Sequence, residues 1–391
     1  MNKKKLLLFS TIGLLLLALA GCWDNTDVIK LNMVAAVGID KADDGQIELT
    51  IQMANPAILK AIEQGSMAEP SWTVSSKGYT VFEAVRNMLS TVDQKPYYSH
   101  MELIILSEEI ARDMIGDVLD LFERDHETRK QVTVLVAKDI SAKEILETKC
   151  PVGVIPAFHL SEIINNRRAK STIRELALMD LFKDRNSAGI NLVIGTIHTK
   201  NTHQIPSTID DLLIEGGAAY RKDKLVGWLK PLETRAYNFV IDEVQGGVIT
   251  ISNPLEKEKK LSLEIIRVKS KMNVAIKEDK GLLQIDIHID GVIGLQEGTA
   301  DLTEEGKIDK IKAEIEKTIE EEVRDIVKLA QLEFKSDIFG FGEIIRRKNL
   351  SYWKKVKADW NSEFTKMPLE INVKSVVIRS GLIKNPNKPI R

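Results

Sequence analysis

The sequence predicts an α+β protein of several domains, with mixed α/β organisation and, in its last third, long amphipathic helices laid on antiparallel sheets. Three observations carry that prediction. Period-two runs such as Ile47, Leu49, Ile51 and Met53 read as half-buried strands. Between them stand helix-opening signatures, Thr80-x-x-Glu83 and Ser141-x-x-Glu144. Near the end, Ile308, Ile311, Ile315, Ile319, Val323, Ile326 and Val327 recur at three- and four-residue steps, the stripe of a long amphipathic helix.

In chain order, Asn32 to Asp40 reads as a strand that turns through Asp43-Asp44-Gly45 into the Ile47 run, giving a hairpin. Thr80 opens a helix whose apolar stripe is Val81, Phe82, Val85, Met88, Leu89 and Val92. Met101 to Leu106 reads as a buried strand, and Ser107 caps a helix whose first turn carries Glu108 and Glu109, placed to favour the dipole. Gln131 to Ala137 is a further strand, and Ser141 opens another helix. Strands alternating with helices make this first half α/β or α+β.

The pattern loosens over 165–190 and resumes with a strand from Ile190 to Ile197. Ile214 to Tyr220 and Leu225 to Leu229 read as a hairpin. Its Gly216-Gly217 pair lacks the spacing of a phosphate-binding loop and predicts a bulge or close backbone approach. Asn253-Pro254 and the charged run after it read as a linker or exposed turn. Two long strands, Leu261 to Ile276 and Leu282 to Ile293, come next, then the long helix from Thr303. Asp337 to Gly342 reads as a tight turn anchored by Phe339 and Phe341. A second amphipathic helix is expected from Tyr352 to Phe364, and a closing strand from Ile371 to Ile378. The expected organisation is a signal segment at 1–21, an N-terminal α/β region at 22–189, a β-rich middle domain at 190–258, and an α+β domain at 259–391.

The N-terminus carries a different kind of information. Lys3 to Lys5, the apolar run Leu6 to Leu19 and the small residues Ala20 and Gly21 form a secretory signal, too short to span a bilayer comfortably. Leu19-Ala20-Gly21-Cys22 resembles the lipobox of bacterial lipoproteins. That resemblance implies cleavage before Cys22 and diacylglyceryl attachment to its thiol. Two acyl chains make a lasting membrane anchor where one is marginal.

Cleavage would remove three lysines and no acids, moving the formal balance from −2 to −5. A mildly acidic, well-mixed surface argues against nucleic acid as a partner. With Cys22 lipidated, Cys150 has no intramolecular partner, so the exported body folds without a disulfide. The histidines His100, His126, His159, His198, His203 and His288 show no metal-ligand spacing. No serine or cysteine nucleophile signature occurs either. The expectation is a non-enzymatic protein with no cofactor and no metal.

Several blocks resemble the Ger(x)C spore germination proteins, the C subunits of nutrient germinant receptors. They are Gly21-Cys22-Trp23-Asp24, Val37-Gly38-Ile39-Asp40, Ser99 to Glu108, and Gly216-Gly217-Ala218-Ala219-Tyr220 with Val226-Gly227. The strongest lies near the end: Ala330-Gln331, Asp337-Ile338-Phe339-Gly340-Phe341-Gly342, Trp353-Lys354 and Trp360. Asp27-Val28-Ile29 only approximates the family's acidic-isoleucine step after the cysteine. The resemblance implies a lipid-anchored subunit on the outer face of the spore inner membrane, beside polytopic A and B membrane subunits, with an extended three-domain mixed α/β fold. It leaves open whether this subunit binds the nutrient directly. The competing expectation is a substrate-binding lipoprotein of a transporter, which needs a ligand cleft between two similar lobes. The sequence shows no internal repeat of that kind.

Overall fold

The computed structural model describes residues 32–378, apart from 55–57, 59, 61, 63–64, 66–67, 152, 168, 201–205, 257, 300–301 and 303. It is an α+β protein built on two sheets.

The first half opens with β1 (Asn32–Lys41) and β2 (Ile47–Ala54), the expected hairpin, paired antiparallel with Ile39 opposite Leu49. β3 (Ser71–Gly78) extends it on the far side of β2. Helix α1 (Val81–Met88) starts where expected, with Thr80 Oγ1 accepting from Glu83 N at 3.1 Å. β4 (Pro96–Tyr97) is a two-residue strand beside β1. β5 (Leu103–Leu106), α2 (Glu108–Asp113) and α3 (Ile115–Arg124) lead to β6 (Thr133–Ala137), and then to α4 (Ala142–Leu146) with the predicted capping box. Helices α5 (Pro156–Arg167) and α6 (Leu178–Arg185) occupy the stretch where the sequence pattern loosens.

β7 (Val193–Thr199), β8 (Leu212–Arg221) and β9 (Lys224–Leu229) complete a nine-stranded mixed sheet, ordered β3-β2-β1-β5-β6-β7-β8-β9 with β4 beside β1. Its central strands β1, β5, β6 and β7 run parallel to one another. One face buries Ile104, Val134 and Val136 with residues of α1, α2 and α3; the other buries Leu103, Ile105 and Leu135 against α4 and α5. Burial on both faces explains why Leu103-Ile104-Ile105-Leu106 is a continuous apolar run instead of an alternating one. At the predicted close approach, Gly216 N donates to Thr172 O at 2.8 Å.

Helix α7 (Pro231–Val240) bridges to the second sheet, formed by β10 (Gly247–Ser252), β11 (Lys260–Lys277), β12 (Lys280–Gln296) and β13 (Leu369–Ile378) in that order. β10 to β12 are antiparallel, and β13 joins β12 in parallel. Helix α8 (Lys307–Leu329) carries the isoleucine stripe into this core, with Ile311, Ile315, Ile319 and Val323 fully buried. On the edge strand β13 the Ser375 amide donates to Glu316 Oε1 of α8 at 2.7 Å.

Two expectations are revised. The strands of 190–258 form no sheet of their own: β7 to β9 continue the first sheet, and β10 opens the second. The limits expected at 189/190 and 258/259 therefore each fall between hydrogen-bonded neighbours, β6 with β7 and β10 with β11. The expected helix from Tyr352 to Phe364 is also broken. α9 (Phe341–Lys348) is followed by α10 (Leu350–Val356), a 3-10 turn at Lys357–Asp359 and α11 (Trp360–Lys366). The break lets Trp353 and Trp360 meet edge to face, ring centroids 5.7 Å apart, while the Trp360 indole reaches a buried carboxylate.

Candidate functional site

A buried polar constellation lies where the two halves meet, and the Asp337–Gly342 block builds it. Helix α8 runs out through a π-turn at Ala330–Phe334 and ends at Lys335, whose φ of 49° is left-handed. Ser336 then donates through Oγ to the Tyr220 carbonyl of β8 at 2.6 Å, tying this turn to the first sheet.

Asp337 follows, with no exposed surface. Its Oδ1 accepts from Phe339 N at 3.1 Å and Gly340 N at 2.9 Å. Its Oδ2 accepts from Gly342 N and from Trp360 Nε1, both at 2.9 Å. Burial pushes the carboxyl up to about 6, against the pull of these donated hydrogen bonds. Asp337 thus acts as an internal cap that folds the turn around itself and pins the start of α11.

Asn191 joins the two halves across this point. Its backbone N–H donates to Asp337 O at 2.8 Å, its Nδ2 donates to Asn361 Oδ1 at 3.0 Å, and its Oδ1 accepts from Lys222 N at 2.8 Å. Beside it Gly189 and Gly342 touch backbone to backbone, and Glu343 N donates to Gly189 O at 3.2 Å. Ser187 bonds Glu343, which also pairs with Arg346. Phe339 and Phe341 anchor the turn as expected, stacking in a chain from Tyr237 to Phe364.

Two clefts flank this clasp, and the 186–190 segment lines both. One, of about 850 Å³, has Arg174, Asp184, Glu243 and Arg346 on its walls. The other, of about 1170 Å³, opens on the side of Lys222, Lys335 and Lys357.

A second buried carboxylate, Asp40, caps α4 by accepting from Ala142 N at 2.8 Å and Lys143 N at 2.9 Å. Burial pushes it also up to about 6. Among the described residues no group of three or more His, Cys, Asp or Glu side chains could hold a metal ion.

Cys22, the expected lipid site, lies outside the described residues. Cys150 is half-buried, its thiol pushed up to about 11 by burial. Among the described residues no helix is long and apolar enough to cross a membrane. Sequence reading found Asp337, Phe339, Phe341 and Trp360 but missed Ser187, Gly189 and Asn191. Ser187 and Gly189 sit in a stretch whose pattern carries no period, Asn191 lies inside a segment read as strand, and their partners in the Asp337–Glu343 block lie 146 or more residues away.

Residues 24–199 match the family described as the spore germination protein N-terminal domain. Residues 215–381 match spore germination B3/GerAC-like proteins over their C-terminal part. Spore germination protein KC of Bacillus subtilis (strain 168) is 25% identical over 405 residues, covering 98% of each chain. Spore germination protein A3 of the same organism is 29% identical over 388 residues, covering 95% of this chain and 97% of that one. The solved structure titled Crystal Structure of the GerBC protein superposes with a TM-score of 0.58 at 21% identity, over 88% of this chain and 96% of that one, which shows a shared fold. The chain belongs to the Ger(x)C family of spore germination proteins.

Proposed function

We propose that the protein is a lipid-anchored, non-enzymatic subunit of a spore nutrient germinant receptor, held through diacylglycerol on Cys22 at the outer face of the spore inner membrane. Polytopic A and B subunits would be its partners there. The observation that carries the reading is the match to spore germination proteins over nearly the whole chain in both halves. The Leu19-Ala20-Gly21-Cys22 sequence, ten residues before the first strand, supports the anchor. Ten peptide steps reach at most about 36 Å, which confines the start of β1 to a thin layer above the lipid and raises its effective concentration near membrane partners.

The transporter-type reading is disfavoured because its two lobes should resemble each other. Here one half carries a nine-stranded mixed sheet and the other a four-stranded one.

The test is intact-mass analysis of membrane-extracted protein, wild type beside Cys22→Ala, with spores assayed for nutrient response. A mature mass beginning at Cys22 plus diacylglycerol, with anchoring and nutrient response both lost in the variant, is the expected result. An unlipidated mature protein, or a full nutrient response in spores lacking every copy of the chain and its paralogues, would overturn the proposal.

A further inference from the structure

The larger of the two clefts carries a charge distribution that the proposed role does not use. Its walls present six cationic side chains, Arg185, Arg221, Lys222, Lys224, Lys335 and Lys357, and two acids, Asp223 and Asp359. Arg185 engages Asp223 through two parallel hydrogen bonds of 2.9 and 2.8 Å. Among the described residues, none of the other five cations has a carboxylate within ion-pair distance. Elsewhere on this net-acidic chain many cations are matched, as in Lys95 with Glu127 and Lys143 with Glu48. The concentration of unpaired positive charge in one concavity is therefore local, and a concave wall focuses its field.

Backbone geometry makes the point sharper. Lys222 at the β8–β9 hairpin tip has φ 57°, and Lys335 at the end of the α8 rod has φ 49°. Glycine or asparagine adopts that conformation at lower cost at hairpin tips and helix ends. Of the seven described non-glycine residues with positive φ, these two are the lysines, and both line this cleft. Both lysines are also fixed to the clasp. Lys222 N donates to Asn191 Oδ1, and Lys335 directly precedes Ser336, which is bonded to β8. The two ammonium groups are thus carried by rigid ends and not by long mobile loops.

We propose that this cleft binds a compact polyanion, a group bearing two or more phosphates or carboxylates. Lysine ammonium groups serve as point charges for phosphate oxygens, and their charge-assisted hydrogen bonds are about twice as strong as neutral ones. The ligand chemistry is common to a soluble polyphosphorylated compound and to a lipid headgroup that carries two phosphates. The inference does not depend on the lipid at Cys22.

The test uses the complete mature chain with Cys22→Ala, so that no acyl anchor confuses membrane binding. Tripolyphosphate is the probe, titrated calorimetrically at low salt into the parent chain, the double variant Lys222→Gly/Lys335→Gly and the control Lys354→Ala. Glycine relieves the left-handed backbone cost, so the double variant should melt no lower than the parent while binding tripolyphosphate at least about tenfold more weakly. The control should bind as the parent does. A purely structural role for the two lysines would give the reverse, a lowered melting temperature with unchanged binding. Cardiolipin vesicles, whose headgroup carries two phosphates, that pull down the parent chain and release it to tripolyphosphate, where phosphatidylcholine vesicles do not, identify a lipid headgroup as the ligand. Tripolyphosphate binding without vesicle capture identifies a soluble one. No saturable binding to the parent below about 1 mM, the weak limit of specific recognition, or equal binding by the double variant, overturns the proposal.

Discussion

Substituting Gly342 by alanine sets two physical effects against each other. Gly342 lies in the first turn of α9 with an ordinary helical backbone, so helix propensity alone favours alanine by about 1 kcal/mol. Packing says the opposite. A Cβ there would stand 2.6 Å from Trp360 Nε1, 2.7 Å from Gly189 Cα and 2.8 Å from Gly189 O. Two of those three atoms are backbone, and the third is already bonded to Asp337, so none can step aside like the end of a flexible side chain. Relieving the overlap means moving α9 away from the 186–190 segment. That movement stretches Gly342 N to Asp337 Oδ2 and Glu343 N to Gly189 O, 2.9 and 3.2 Å in the native clasp. Overpacking typically costs about 1–3 kcal/mol, and a weakened hydrogen bond to a buried charge about 1.5–3 more. The net expectation is a loss of about 2–4 kcal/mol. For units of this size that corresponds to a fall of roughly 5–10 °C in Tm. Trp353 and Trp360 sit in the clasp and report its loosening by fluorescence during thermal or urea unfolding. A Gly342→Ala variant that melts at or above the wild-type temperature would refute the claim that this glycine pair is a steric keystone between the halves.

Two further predictions concern buried charge. Asp40 and Asp337 titrate near 6 in the fold against 3.8 unfolded, so the folded state holds more protons between those values and stability falls as pH rises through that window. Each group accounts for up to about 3 kcal/mol. Urea midpoints compared at pH 4.5 and pH 7 should show a shallower decline in Asp40→Asn than in wild type, and parallel declines would contradict it. Arg235, 9% exposed, pairs with Glu322 and donates to Val248 O at 3.2 Å. Arg235→Ala should cost about 3–5 kcal/mol by leaving Glu322 uncompensated, and Glu322→Gln in the same chain should recover part of that loss; additive losses in the double-mutant cycle would rule the pairing out.

How much could be read from the chain depended on whether a segment shows a period. The α8 stripe and the alternating Ile47, Leu49, Ile51 and Met53 of β2 carry a clear period, and both stand where the pattern puts them, although Thr50 and Gln52 on the other face of β2 are buried as well. Helix α7 was unreadable for the opposite reason: Thr234 through Val240 are buried on every side, so no polar face marks the turn. Its remaining signal is Pro231 at the first helical position, and Pro156 opens α5 in the same way. The broken helix from 350 to 366 shows a local period overridden by one long-range demand, the reach of Trp360 to Asp337. The candidate site divides along the same line. Asp337 and its aromatic anchors stand in a compact block that the chain displays, whereas Asn191 and Gly189 acquire their roles only when the two halves meet. The cationic cleft was invisible to composition because the chain as a whole is close to neutral.

The Glu316 contact to the Ser375 amide has a bearing on how copies of this protein tolerate one another. β13 is the outermost strand of its sheet, and a strand in that position offers its amides as a template for a neighbour. Glu316 occupies one of those donors with a carboxylate from within the same chain. An approaching strand would have to displace that bond and set its own carbonyl beside a negative charge. Crowded side by side, the molecules are thereby discouraged from stitching their sheets into a ribbon, and the edge is left to be covered by other means than self-association.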